Sequence, residues 1–303
     1  MIAKNIFLVL IFFSVFAIKA QHNYFNQKPP GREAVIFAPG IVTTAALEHA
    51  SPVFSPDGKT VLWAIMKMPS YQICLLEMNL VNGQWSAAHA PSFSDSTASE
   101  VYPTFSPNGS ILYFSSDRIV NSSSPKKNRL WYVKKTSSGW SEASVWDSLM
   151  LEDGIYANSI SGQWNRYFSV GPQGSPDWSI FQSDKQGIAT PLPPHINSPG
   201  YEDGPFIAPD ESYLIFETDR PGTVGGSIDL YIAFRKKDGQ WAEPINMGPN
   251  INTNGSERFA KVSADGKYLF FGRNAGNGFD IYWISAQIIT DLKIQAEKTG
   301  MRL

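Results

Sequence analysis

The chain has 303 residues, with 25 Lys and Arg against 27 Asp and Glu, so its formal net charge of −2 offers no basic surplus for nucleic acid or an anionic membrane surface. Charged residues make up 17%, aromatics 13%, and Gly and Pro number 24 and 21, a balance suited to a packed body of strands with many turns. Cys74 is the one cysteine, which rules out an intramolecular disulfide and leaves stability to packing.

Residues 1–20 have the layout of a secretory signal peptide: Lys4, then an apolar run over 6–18, with cleavage expected after Ala20 and before Gln21. Ile18 is larger than the ideal third residue before a cut, which leaves an uncleaved anchor as the alternative, although the run is short for a span. No cysteine lies near the cut, so a lipid-modified N-terminus is excluded. Residues 21–30, polar with a Pro29-Pro30 pair, read as an unpacked leader. Residues 31–44, G-R-E-A-V-I-F-A-P-G-I-V-T-T, resemble the end of a repeat rather than its start, as in G-Q-W-A-E-P-I-N-M-G-P at 239–249.

The pattern that organises the chain is P-T-F-S-P-N-G-S-I-L-Y-F-S-S-D-R at 103–118, a strand, a Pro-Asn-Gly turn and a second strand. It returns as P-V-F-S-P-D-G-K-T-V-L-W-A at 52–64, P-F-I-A-P-D-E-S-Y-L-I-F-E-T-D-R at 205–220 and A-K-V-S-A-D-G-K-Y-L-F-F-G-R at 260–273. The first unit opens at His49, with a third strand over 72–79, a turn at Asn82-Gly83 and a fourth strand from Trp85. The second opens at Glu100, with a third strand over 129–134 and Trp140 after Gly139. The third opens at Glu152-Asp153-Gly154 and is degenerate. The fourth opens at Glu202-Asp203-Gly204, with a third strand over 228–235 and Trp241 after Gly239; the fifth opens at Glu257, with a third strand over 279–285.

Four strands per unit at a period of about fifty residues predict the blades of a β-propeller. The fifth unit lacks its own outer strand while residues 31–44 supply an orphan, so the N-terminal segment is expected to complete the last blade and close the ring. Residues 286–303 fall outside the repeat and suit a short amphipathic helix or a strand laid over that closure. Trp85, Trp140 and Trp241 recur at one repeat position, which marks them as fillers of the gaps between sheets.

The core F-S-P-D-G-K-x-L-x-F followed by S-D-R resembles the WD-like propeller repeat of TolB and many exported bacterial proteins, over about residues 34–285. That resemblance implies the propeller fold and leaves function open, because such propellers serve as binding platforms, as gates on peptidases and as enzymes. TolB carries an extra N-terminal α/β domain and six blades, so its envelope role and partner do not transfer to a five-unit chain without that domain. With no hydrolase domain in the chain, the peptidase-gate reading also falls.

On a propeller, equivalent positions form circles around the axis. Glu100, Glu202 and Glu257, with Glu152 on the E-D-G match and His49 in the first unit, are expected around one channel mouth, with Arg118, Arg220 and Arg273 as a companion circle. These residues build either a polar ligand funnel or a structural belt of Glu–Arg pairs. Departures from the repeat carry more information about function: His49 beside Glu48, and the third unit with Trp164, Arg166, Asp177, Trp178 and Asp184, whose indoles could stack on sugars or peptide aromatics. Metal chemistry is not expected, since His22, His49, His89 and His195 are scattered.

The resulting expectation is an all-β, five-bladed β-propeller of four-stranded antiparallel sheets spanning 31–285, closed by its N-terminal strand and working without a cofactor. It would be an exported monomer of the periplasm or extracellular space that binds an envelope protein or a glycan at the channel mouth. The alternative is a glycoside hydrolase with Glu100, Glu202, Glu257 or Asp153 as acid and base or nucleophile, roughly 5 to 9 Å apart.

Overall fold

The computed structural model describes residues 24–121, 127–146, 154–172, 177–184, 187–226, 228–274, 276 and 278–303. Five antiparallel sheets follow one another along the chain. Blade 1 runs Leu47–Phe54, Thr60–Lys67, Gln72–Val81 and Gln84–Trp85 from the axis outward. Blade 2 runs Glu100–Phe105, Ile111–Ser116 and Arg129–Thr136, with its outer strand split into Gly139–Trp140 and Ser144–Val145. The sequence-degenerate third unit is a complete blade, Gly154–Ile160, Arg166–Gly171, Ser179–Ser183 and Ala189–Pro191. Blade 4 comprises Glu202–Ile207, Tyr213–Thr218, Asp229–Phe234 and Ile245–Asn246.

Blade 5 takes Ser256–Val262, Tyr268–Asn274 and Phe279–Ser285 from the end of the repeat and Val35–Ile36 from its beginning. Val35 pairs with Trp283 and Ile36 with Tyr282, so the N-terminal strand closes the ring as its sequence predicts. The Phe37 amide then donates to Ile281 O at 2.8 Å, and the Phe37 side chain is fully buried against Phe270 and Trp283.

The hairpins form because a serine hydroxyl fastens the turn in blades 1, 2, 3 and 5, with Ala208 in its place in blade 4. Ser55 accepts from the amide of Thr60, Ser106 from Ile111 and Ser263 from Tyr268, all at 3.0 Å, while Gly58, Gly109 and Gly266 take the positive φ that the turn requires. In the third unit Trp164 occupies a left-handed turn position with φ 69°, which is why its turn is unreadable as Pro-Asp-Gly. Buried apolar residues form five clusters among the described residues, one in each gap between neighbouring blades. Trp85, Trp140 and Trp241 pack in those gaps, and Trp140 Nε1 also donates across to Glu77 at 2.9 Å.

The expectation of an unpacked leader over 21–30 is corrected by Tyr24. Its ring is buried in the gap between blades 5 and 1, edge-on to Phe54 and Tyr268, and its hydroxyl donates to Asp265 at 3.0 Å. An aromatic that fills an inter-sheet gap gains more from burial than a polar leader loses in freedom. Residues 287–298 choose the helix over the strand: Gln287–Lys298 buries Ile288, Ile289 and Leu292 against blades 4 and 5, and Arg32 pairs with Asp291 at 2.7 Å. No helix among the described residues is long and apolar enough to cross a membrane.

Candidate functional site

The ring carboxylates stand at the first or second position of the inner strands, and three of them are closed on their arginines. Arg118 pairs with Glu100, Arg220 with Glu202 at 3.3 Å and Arg273 with Glu257 at 3.0 Å. The same guanidiniums reach back to the loop that enters the blade, donating to Phe93 O at 2.7 Å, Ile196 O at 2.6 Å and Ile251 O at 2.7 Å. Each also lies over two aromatic rings of its own sheet, such as Phe114 and Trp131 for Arg118. With all three Glu side chains at 0–2% exposure, this is a clip that fastens each inner strand to the preceding loop. The geometry matches the belt and leaves these carboxylates no open face.

In blade 1 the equivalent of the ring glutamate is Glu48, not His49. Glu48 takes the amide and hydroxyl of Thr44, four residues back, as Glu257 does those of Thr253. The inner strand of blade 1 has an additional register shift, which moves the match by one residue. Among the described residues no arginine faces Glu48 and its buried Oε2 has no partner, and burial raises its pKa to about 7 against the ordinary 4.5, with Asp280 adding to the rise. A carboxyl whose folded pKa is raised weakens the fold increasingly between its unfolded and folded pKa, and the full penalty stands above the latter. Glu48→Gln is therefore expected to raise stability at pH 8, relative to its effect at pH 5, by about 2–3 kcal/mol. Denaturant melts at the two pH values check this, and an equal effect at both would refute it.

Blade 3 breaks the ring. Counting back from the turn serines, Ser161 and Ser106, the place of Glu100 is held by Ile155, which faces Val170 as Glu100 faces Ser116. Glu152 and Asp153 themselves lie outside the described residues. The E-D-G match to blade 4 thus pairs positions that the ladder does not align.

The column just after the ring glutamate is where the blades differ, and there the structure assembles a charged network from several of them. Arg258 of blade 5 donates through Nε to Glu217 Oε2 at 2.6 Å and through Nη2 to Asp203 Oδ2 at 3.2 Å and to the Tyr201 hydroxyl. The Tyr201 hydroxyl donates to Asp203 at 2.7 Å, and Ser169 of blade 3 donates to the other Asp203 oxygen. The Phe259 amide donates to Glu217 Oε1 at 2.7 Å. Gly204 leaves room for that carboxylate: a Cβ there would lie 2.1 Å from Glu217 Oε1, at a φ of +59°. Burial raises Glu217, while Arg258 opposes it. His49 packs beside Phe259 with centroids 5.3 Å apart, and burial together with Arg258 lowers its pKa to about 4, so it is neutral at physiological pH.

On the other side of this network the channel opens as a funnel of about 290 Å³ toward the hairpin turns. All five blades line it, with Pro52, Val53, Thr104, Phe105, Ile160 and Phe206 among the walls. Among the described residues, Lys261 is the cation in its lining, nearly buried, with Nζ donating to Asn158 O at 3.1 Å. Burial lowers its pKa to about 8, against the upward pull of Glu217 and Asp203. Tyr102 and Phe259 lie buried behind it with centroids 6.0 Å apart, and the Thr104 hydroxyl and Lys261 Nζ converge on the same Asn158 carbonyl.

The remaining sequence candidates do not converge. Trp164 sits in a turn at the funnel end, whereas Trp178 bridges to Tyr201 and contacts Tyr156 and Tyr201, with centroids 4.0 and 5.5 Å apart, at the opposite end. Arg166 lies between blades 2 and 3, over the rings of Tyr113 and Trp146. Among the described residues no three His, Cys, Asp or Glu side chains are grouped to hold a metal ion. Sequence reasoning missed Asp203, Glu217, Arg258 and Lys261. Their signal was asymmetry within the aligned repeats: Lys261 occupies the column of Val53, Thr104 and Phe206.

No family model and no curated protein matches the sequence. Solved structures match in fold. A TolB-assigned protein from Agrobacterium tumefaciens superposes with a TM-score of 0.53 at 17% identity, covering 79% of this chain and 77% of that one. TolB from Acinetobacter baumannii gives 0.45 at 11% identity over 78% and 54%, and a Trypanosoma rangeli sialidase 0.45 at 11% over 84% and 57%. The first shows that the chain has a TolB-like propeller fold; the other two are too distant to carry an argument.

Proposed function

We propose that this chain is an exported, non-catalytic binding propeller of the bacterial cell envelope that captures a protein segment in its axial funnel. The observation that carries the reading is the funnel itself: a concave, mostly apolar opening walled by every blade, the kind of site that side chains of a partner fill. Apolar walls favour a protein segment over a glycan, whose hydroxyls need polar partners. The layout of residues 1–20 supports export. Glu100, Glu202 and Glu257, which the glycan-cleaving alternative would use, are held by arginines, and Asp203 and Glu217 by Arg258, while Asp153 lies outside the described residues.

A photo-cross-linking residue in place of Phe105, at the funnel wall, tests this in the native envelope. It is expected to give discrete protein adducts that the same residue in place of the exposed Ile188 does not, and Val53→Asp is expected to remove them while the melting temperature stays unchanged. Carbohydrate adducts, or equal adducts from both positions, would overturn the reading.

A further inference from the structure

Resting on the funnel as a protein site, we infer that it receives the C-terminal end of a polypeptide, whose terminal carboxylate meets the Lys261 ammonium at the floor. Three features of the molecule lead there.

The funnel is blind. Behind its floor Tyr102, Phe259 and Asn158 are each at most 7% exposed; Asn158 Nδ2 donates to Tyr102 O of the neighbouring blade at 3.1 Å and Lys261 Nζ of blade 5 reaches Asn158 O of blade 3 at 3.1 Å, so inner strands are tied across the axis. A blind hole of about 290 Å³ admits a chain end more readily than a loop, because a loop must bring two strands of backbone to the mouth.

The floor is cationic. Lys261 has three N–H donors, and the Asn158 carbonyl, already shared with the Thr104 hydroxyl, is the acceptor that the structure gives it. The carboxylates nearby are committed elsewhere: Asp203 to Arg258, Tyr201 and Ser169, and Glu217 to Arg258 and the Phe259 amide. Donors left over on a nearly buried ammonium select an anionic oxygen, and therefore a C-terminal rather than an N-terminal end.

The walls are apolar. Val53, Phe105, Ile160 and Phe206 surround the approach to Lys261, so the residues before the carboxylate are expected to be hydrophobic, and the low-polarity surroundings strengthen the charge-assisted bond.

The test uses two arrays of the same random hexapeptides, one with free C-terminal carboxylates and one amidated, probed with the full chain and with Lys261→Met, Lys261→Arg and Val53→Asp. The wild type is expected to be retained about tenfold more strongly on the free-carboxylate array. Lys261→Met is expected to fall to the amidated level, Lys261→Arg to keep the preference, and Val53→Asp to lose retention on both arrays, with melting temperatures confirming that each variant is folded. Equal retention on the two arrays that still depends on Val53 overturns the carboxylate inference and leaves the segment-binding reading standing. Retention that ignores Val53, or no retention on either array, overturns both. Competition by octanoate as strong as by the best free peptide would assign the funnel to alkyl acids and overturn the polypeptide end.

Discussion

Arg258→Met is expected to destabilise the fold by about 3–5 kcal/mol at pH 8, because removing one partner of a buried ion pair strands the charge on the other. Arg258 touches two carboxylates at once, Glu217 at 2.6 Å and Asp203 at 3.2 Å, and both are at most 1% exposed. In its absence Lys261 is the cation left near them, and it makes no hydrogen bond to either. The loss should shrink on acidification. Burial already raises the Glu217 carboxyl above its ordinary value, and without the opposing guanidinium it rises further. A raised carboxyl costs stability above its folded pKa and ceases to do so as pH falls toward the unfolded value, so the deficit is expected to be smaller at pH 5 than at pH 8. The triple variant Asp203→Asn, Glu217→Gln, Arg258→Met removes every charge of the network and should recover most of the loss. Denaturant midpoints at both pH values decide the matter. A deficit independent of pH, or a triple variant no better than the single one, would show that Arg258 matters through packing on Tyr201 and Phe259 rather than through charge.

This network also shows what a repeat sequence reveals and what it hides. Features that recur were legible: the Ser-Pro-Asp-Gly turns, the gap-filling Trp85, Trp140 and Trp241, and the Glu–Arg pairs, because three or more blades solve the same packing problem with the same residue types. The closing strand was legible for the opposite reason, an outer strand missing at one end of the chain and present at the other. Placement failed where the ladder slips. The additional register shift in the inner strand of blade 1 gave the ring position to Glu48 instead of His49, and a local E-D-G match put Glu152 where the pairing puts Ile155. The network was hidden because, of its members, Asp203 and Arg258 alone share a column, while Glu217 comes from a second strand and Tyr201 from the loop before an inner one. Only the ring brings them together, and no spacing along the chain records it.

Phe37→Ala is expected to cost about 3–5 kcal/mol, the range for removing a large aromatic from a packed core, although the residue lies next to a strand of only two residues. The backbone pairing of Val35 and Ile36 with Tyr282 and Trp283 is short, and both of those closing side chains are exposed. What holds the segment in place is therefore the ring of Phe37, at 0% exposure, edge-on to Phe270 at 4.8 Å, Trp283 at 5.1 Å and Phe54 at 6.3 Å. Phe270 and Trp283 belong to blade 5 and Phe54 to blade 1, so the cavity left by the substitution opens between these blades, beside the seam inside blade 5 where Val35–Ile36 is held to Phe279–Ser285 by pairing alone. Ile36→Ala, at an exposed position of the same strand, is the control and should change stability by less than about 0.5 kcal/mol. The funnel should feel the difference as well. Pro52 and Val53 of blade 1 and Lys261 and Val262 of blade 5 face it from the two sides of that gap, so Phe37→Ala is expected to weaken peptide retention in folded protein, whereas Ile36→Ala is not. Hydrogen exchange at the Phe37 amide, which donates to Ile281 O at 2.8 Å, reports the opening directly. If Phe37→Ala proves as stable and as slow to exchange as Ile36→Ala, the ring is held at its seam by something other than this side chain.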